Sequence, residues 1–287
     1  MSPEKSMSSE KKASQLLELH RAAVPVVLVN AWDIASARIV EDAGFPAIAT
    51  TSAGVANALG YPDGQKVPWN QMMDRIAEIA SAVQAPVTAD IESGFSDDEQ
   101  ALGRSITDVI KAGAVGVNLE DLVPASDRHG SLFSVADQVK RIKAARAAGE
   151  KLGIHLVINA RTDAFWQTGA EPSAAMTNTL ERGRAYLDAG ADCIFIPGMR
   201  DPKKIQMVVD AWKAPVNILA GPGVPSLAEL GKLGVKRVSF GSGPMRAAMG
   251  ALRKIAQEAL ASGTYAAMSE LAIPYEDING LFEEKGS

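Results

Sequence analysis

Four charged residues stand where short apolar runs end: Asp90 and Glu92 in "APVTADIESGF", Glu120 in "GVNLED" and Arg161 in "INARTD". Residues two apart in extended chain project to the same side, so Asp90 and Glu92 pair. Glu120 falls in line at the end of the next run. Three carboxylates converging on one place repel strongly unless a cation sits among them. All-oxygen ligation with no paired histidine and no cysteine points to Mg2+ or Mn2+ rather than zinc. Arg161 adds fixed positive charge for a carboxylate or a developing enolate. Plainer readings compete. Asp90 alone could be a helix N-cap, and Arg161 could be a salt-bridge partner of Asp163 or Glu120, which does not exclude catalysis.

Positioning these groups requires a scaffold, and the chain supplies a serial one. Eight β-rich runs are bounded by turn signals: 24–30, 46–51, 86–90, 115–120, 155–160, 192–197, 215–220 and 236–241. Most are continuously apolar, as strands buried on both faces are. Helical patterns such as "WNQMMDRIAEIASAV" and "EQALGRSITDVIKAG" lie between them. The phrases "DAGFP", "KAGAVG", "DAGADC" and "KLGVKR" each put Gly just past a helix and just before a strand. Eight β/α units predict an α/β fold of the (β/α)8 TIM-barrel type. The runner-up, a doubly wound open sheet, lacks any GxGxxG or P-loop after a strand. The expected division is an N-terminal helical segment (1–23), the barrel (24–262) and a C-terminal helical extension (263–287).

Bulk properties narrow the classes of function. The 287-residue chain is 47 % apolar and 22 % charged, which suits a large globular core. Its net charge of −5 and lack of a Lys/Arg cluster argue against nucleic acid as a partner. No run reaches the ~18 apolar residues of a membrane span, and the polar N-terminus lacks a signal-peptide core. One cysteine, Cys193, excludes an internal disulfide framework. The expectation is a soluble, cytoplasmic protein.

Barrel chemistry sits at the C-terminal ends of strands. The first run ends on Asn30, with Trp32 and Asp33 following; the second on Thr51 and Ser52; the third on Asp90 and Glu92. The fourth and fifth end on Asn118, Glu120 and Asp121, and on Asn159, Arg161 and Asp163. The last three end on small or apolar residues, so polar groups crowd one half of the mouth. After the second run, "TSAG" lets backbone N–H groups approach a carboxylate, and Asp63 sits in a Pro-Asp-Gly turn.

Together, "TADIESGFSD", "GVNLED", "NARTDAF" and "TTSAGVANALGYPDG" resemble the isocitrate lyase/phosphoenolpyruvate mutase superfamily, in order and spacing, over about residues 24 to 260. The resemblance implies a (β/α)8 barrel and a homo-oligomer, dimer or tetramer, in which the last barrel helix is often exchanged between subunits. It also implies Mg2+ and a small-molecule 2-oxo acid substrate, or one that yields a 2-oxo acid through an enolate. Carried over by position, Asp90, Glu92 and Glu120 take the metal shell and Arg161 the substrate oxyanion. Thr51, Ser52 and Ala53 take the substrate carboxylate, with Asn30 and Trp32 nearby, and Asp63 lies on the mobile loop over the site.

Departures from the pattern shape the choice of reaction. The lyases' cysteine loop reads "EDLVPASDRHGSLF" here, leaving Asp127, Arg128 and His129 to manage charge. Cys193 lies inside the sixth strand and cannot replace it. The stretches "IPG" and "NILAG" stand where the tricarboxylate lyases bind extra carboxylates, which disfavours a tricarboxylate. Decarboxylation needs no dedicated base. Retro-aldol cleavage needs one, and His129 is the candidate, with an exposed loop residue as its plainer reading. The expectation is a Mg2+-dependent C–C lyase or decarboxylase. A phosphonopyruvate mutase or hydrolase is the enzymatic alternative, and a 2-oxo acid binding protein without turnover is the non-enzymatic one.

Overall fold

Every barrel strand carries two rows of side chains, and in this chain the rows differ in kind. The computed structural model describes residues 7–96, 98–124, 130–166 and 172–283. Helix α1 (Ser9–Arg21) precedes β1 (Val26–Leu28) and β2 (Asn30–Ala31). Then follow α2 (Ile34–Asp42), β3 (Ile48–Thr50), α3 (Ser52–Ala58), α4 (Trp69–Ala82), β4 (Val87–Asp90), α5 (Glu99–Lys111) and β5 (Gly116–Glu120). The second half runs α6 (Val135–Lys151), β6 (Val157–Arg161), α7 (Pro172–Asp188), β7 (Cys193–Ile196), α8 (Pro202–Trp212), β8 (Val216–Leu219), α9 (Leu227–Lys232) and β9 (Arg237–Ser239). The chain continues through α10 (Gly243–Ser262), α11 (Ala266–Leu271) and α12 (Tyr275–Gly280).

The nine strands pair in parallel, in the order β1-β9-β8-β7-β6-β5-β4-β3-β2. The first expected run is split, with β1 on β9 and β2 on β3, and only Val29 between the two pieces. The first strand thus crosses from one neighbour to the other and closes the barrel, as a (β/α)8 fold requires. The other seven runs each contain one strand, and β6 extends one residue further to take in Arg161.

Alternation assigns the rows. Val117, Leu119, Ile158, Ala160, Ile194, Ile196 and Val238 face outward under the helices and are buried. The row including Asp90, Asn118, Glu120, Arg161, Phe195, Leu219 and Ser239 faces inward and reaches the mouth. Deeper in that row lie Thr88, Asn159, Asn217 and Arg237, all buried. The barrel interior is therefore polar where aliphatic layers are usual.

The helices supply the apolar half of the core. In α5, Leu102, Ile106, Val109 and Ile110 recur at helical spacing and are buried, each contributing about 1.5–3 kcal/mol. Asp98 caps that helix by accepting from Ala101 N at 2.7 Å. The four repeated glycines (Gly44, Gly113, Gly190 and Gly234) all have positive φ, as expected of a residue just past a helix end. Helix α1 closes the bottom of the barrel, burying Ala13, Leu16 and His20. At the other end of the chain, α10 buries only Met245 and leaves Met249, Leu252 and Leu260 exposed.

Candidate active site

The C-terminal mouth holds a cavity of about 360 Å³. Its charged side is built by β3 to β6. Asp90 ends β4, and its Oδ2 accepts from Ser52 N at 3.0 Å and from Ser52 Oγ at 2.8 Å, at the start of α3. Asp90 is therefore not the N-cap of the helix that follows it; Asp98 is. Its Oδ1 is buried and has no hydrogen-bond partner among the described residues.

Glu92 reaches the same cavity by another route than the alternation predicts. Strand β4 stops at Asp90, and Glu92 lies in the left-handed region at φ +52 inside a turn that Gly94 N closes on Ile91 O. Gly94 is required in that turn: its φ is +90, and a Cβ there would run into Leu102 Cδ1. The Glu92 carboxylate accepts from Gln65 N at 2.9 and 3.0 Å, which ties the loop carrying Asp63 down beside it. Burial, then Asp63 and Asp90, push the Glu92 carboxyl up to about 8.

Glu120 and Arg161 are register partners at the ends of β5 and β6. Arg161 Nη1 lies 2.7 Å from Glu120 Oε2, while its Nε and Nη2 donate to the two oxygens of Asp163 at 2.6 and 2.8 Å. Burial opposes the charge on Arg161, but Asp163 and Glu120 outweigh it and hold the guanidinium more firmly protonated than usual. Burial also raises the Glu120 carboxyl, against Arg161 and with help from Asp163, Glu92 and Asp90. Asp163 is itself fixed from behind. Its N donates to Asp121 Oδ1 at 3.0 Å, and Asp121 Oδ2 accepts from Tyr186 OH at 2.7 Å and Arg182 Nη1 at 3.1 Å.

The apolar part of the lining is Leu122, Val123 and Pro124 just after β5, Phe195 and Pro197 at β7, and Leu219 at the end of β8, with Ser239 and Ser242 toward the closing strand. Trp166 leans over Arg161, whose Cζ sits 5.5 Å from the ring centroid.

Of the expected residues, Asn30, Thr51, Ser52, Ala53, Asp63, Asp90, Glu92, Glu120 and Arg161 all line this cavity. Several have other tasks there. The amide of Asn30 is engaged by backbone, donating to Thr50 O and accepting from Phe240 N and Gly241 N, so it staples the closing strands. Thr51 caps α3 through Gly54 N. Trp32 is not among the lining residues; it packs against the core. His129 lies outside the described residues, as do Ser126, Asp127 and Arg128. Asn118 and Asp163, named in the sequence only as strand-end residues or as a salt-bridge partner, also line the cavity, and so do Gln65 and Lys66, which the sequence reading did not single out. Asn118 had a signal: it lies two residues before Glu120 on the same strand row.

With that geometry in view, the chain can be compared with known proteins. The phosphoenolpyruvate phosphomutase family matches residues 16–260. The chain belongs to this family. An uncharacterized protein of Mycobacterium tuberculosis is 36 % identical, covering 81 % of this chain and 83 % of its own. The 2-methylisocitrate lyase of Shewanella oneidensis is 33 % identical over 83 % of this chain and 82 % of its own. A solved Burkholderia cenocepacia protein described as a lyase/mutase is 36 % identical, with a TM-score of 0.89, covering 96 % of this chain and 97 % of that one. A phosphonopyruvate hydrolase solved with oxalate and Mg2+ superposes at a TM-score of 0.82 and 25 % identity, with 94 % of each chain covered. The family thus includes carbon–carbon lyases, and the superfamily expected from the motifs is the one found.

The charged side fits a divalent cation of the kind seen in that hydrolase. Asp63, Asp90, Glu92, Glu120 and Asp163 bring five carboxylates to the lining, against Lys66 and Arg161. Asp90 Oδ1 is a buried carboxylate oxygen without a donor. Among the described residues no three acidic, His or Cys side chains form a ready-made cage. Glu92 and Glu120 are instead held by Gln65 and Arg161. That suits Mg2+, which keeps several waters and takes one or two protein carboxylates directly.

Proposed function

We propose that this chain is a Mg2+-dependent carbon–carbon lyase or decarboxylase acting on a small 2-oxo acid, or on a 2-hydroxy diacid that cleaves to one. The observation that carries this reading is Arg161, held cationic by Asp163 and Glu120 at the edge of a cavity whose other lining charges are mostly negative. An anionic substrate enters such a cavity only if further positive charge accompanies it. Asp90, with Glu92 and Glu120 around it, would hold Mg2+, and the ion would supply Lewis-acid stabilisation of negative charge there. Arg161 faces the same negative charge and needs no reorganisation, because Asp163 and the Asp121 cluster fix it in advance. Ser52 gives both its N–H and its hydroxyl to Asp90 Oδ2, so at the start of α3 the backbone N–H of Ala53 is the donor proposed for the substrate carboxylate. The Gln65–Glu92 bond holds the Asp63 loop down and helps exclude water. For a hydroxyl-bearing substrate, His129 is the proposed base.

Pyruvate release from oxaloacetate and a small 2-hydroxy-diacid panel, with Mg2+ and with EDTA, tests the reading. Product that requires both Mg2+ and Asp90, judged with Asp90→Ala, supports it. Product from phosphonopyruvate alone would move the assignment to P–C chemistry, and oxalate binding without turnover on any of these would make it a binding protein.

The same reading includes a homo-oligomer. A 20-residue helix that buries only Met245 on its own barrel presents Met249, Leu252 and Leu260 as a face suited to a second copy. Leu252→Glu should lower the mass measured by light scattering to that of a monomer; unchanged mass for the variant, or a monomeric wild type, would discard the idea.

A further inference from the structure

Beneath the cavity floor lies a cation to which the mechanism above gives no role. Arg237, at the start of β9, is fully buried in the inner row of the barrel. Its guanidinium meets neutral acceptors in place of a carboxylate. Nη1 lies 3.3 Å from His20 Nε2, Nη2 donates to Asn118 Oδ1 at 3.1 Å, and Nε has no partner among the described residues. His20 can accept because its Nδ1 lies 2.7 Å from Leu16 O and so carries the ring proton. Burial and the Arg237 charge lower His20 to about 4, which leaves it neutral near pH 7. Burial lowers Arg237 itself to about 10, so it stays charged there. Burying a guanidinium without a counter-ion is costly, and filling a barrel interior does not require one.

What Arg237 touches above it is part of the site. Asn118 Oδ1 accepts from Arg237 and also from Asn159 Nδ2 at 2.7 Å. Two donors on one oxygen fix which way the amide faces. Asn118 Nδ2 therefore turns away from both, no described residue accepts from it, and Asn118 lines the cavity beside its register partner Asp90. A cation on the carbonyl side of an amide also makes its N–H groups stronger donors.

We propose that Asn118 is a ligand-binding residue whose amide N–H donates to an anionic oxygen of the bound 2-oxo acid, and that Arg237 is the positioning residue that aims and polarises it from below. The assignment rests on the functional reading above and extends it to a donor on the cavity floor. It gives the anion a further donor, besides the divalent cation, Arg161 and Lys66, in a cavity with five lining carboxylates.

Calorimetric titration of the full chain with oxalate in the presence of Mg2+ tests it, with thermal melting measured alongside. Asn118→Asp keeps an acceptor for Arg237 and Asn159 but replaces the donor with a second oxygen. It should weaken oxalate binding by about 100-fold or more while the Tm is kept or raised, because a charged acceptor now faces the anion. Asn118→Ala and Arg237→Gln should each weaken it about tenfold, and Arg237→Lys should recover most of the loss. In turnover with oxaloacetate, the same variants should raise KM more than they lower kcat. Oxalate binding within threefold of wild type in both Asn118 variants would overturn the assignment. So would an Arg237→Gln protein that melts earlier with its affinity unchanged. If Arg237→Gln fails to fold, the Asn118 pair decides. A wild-type protein that ignores oxalate with and without Mg2+ overturns the reading of the site first, and this assignment with it.

Discussion

Both sides of the cavity hold buried polar residues, yet only one side is left with charge to balance. On the β8–β9 side, polar groups satisfy each other: Asn217 and Ser239 exchange hydrogen bonds, and Asn30 is engaged by Phe240 N, Gly241 N and Thr50 O. On the β4–β6 side each carboxylate also has a protein donor, but the donors are mostly neutral and Arg161 is shared between Glu120 and Asp163. Hydrogen bonding is nearly complete there while charge is not. That difference, more than any count of polar residues, marks where a cation and an anionic substrate belong.

The sharpest way to break the comparison is to remove Arg161, the cation that Glu120 and Asp163 share. Arg161→Gln should lower kcat/KM by about 10²–10³-fold, the usual cost of losing a preorganised donor to an oxyanion. It should also cost stability of roughly 3–5 kcal/mol, because Glu120 and Asp163 lose their buried partner. Denaturant unfolding and steady-state kinetics read the two effects separately.

A second prediction concerns pH. In the metal-free protein the folded Glu92 carboxyl titrates near 8, against an ordinary value of 4.5. Between those values the folded state binds more protons than the unfolded state, so Glu92's contribution to stability falls as pH rises. Below about pH 4.5 that contribution is complete; by pH 8 to 9 it is lost, a change of a few kcal/mol at most by the ~1.4 kcal/mol-per-unit relation. Glu92→Gln should flatten this part of the melting profile, and Mg2+ should raise the Tm of the wild type more at pH 8 than at pH 6. An unchanged slope in the variant would mean that Glu92 is not the titrating group.

The smallest effect is expected where the two sides meet. Trp166 stacks on Arg161 but carries no part of the charge balance. Trp166→Leu should cost about 1 kcal/mol of transition-state stabilisation, roughly fivefold in kcat/KM. A loss as large as that of Arg161→Gln would show that the ring does more than support the guanidinium.

Much of this was legible in the sequence. The eight runs and their glycine-terminated helices specify the barrel because period and punctuation are local properties of the chain. The strand-end rule then brings Asp90, Glu120 and Arg161 together. Glu92 was found for an incomplete reason: alternation ends with β4 at Asp90, and a left-handed turn carries Glu92 to the cavity. Asn30 and Trp32 stand at a strand end as expected, but a strand end does not reveal whether a side chain faces ligand, backbone or core. The split of the first strand and the buried Arg237–His20 contact join residues more than 200 positions apart, and no local pattern encodes such pairings.

The most direct test of the central claim is oxalate affinity measured with and without Mg2+ in three proteins: wild type, Asp90→Asn on the charged side and Leu219→Asn on the other. The account predicts Mg2+-dependent binding in the wild type, loss of that dependence together with most of the affinity in Asp90→Asn, and affinity within about threefold of wild type in Leu219→Asn. Equal binding with and without Mg2+, unaffected by Asp90→Asn, would contradict it.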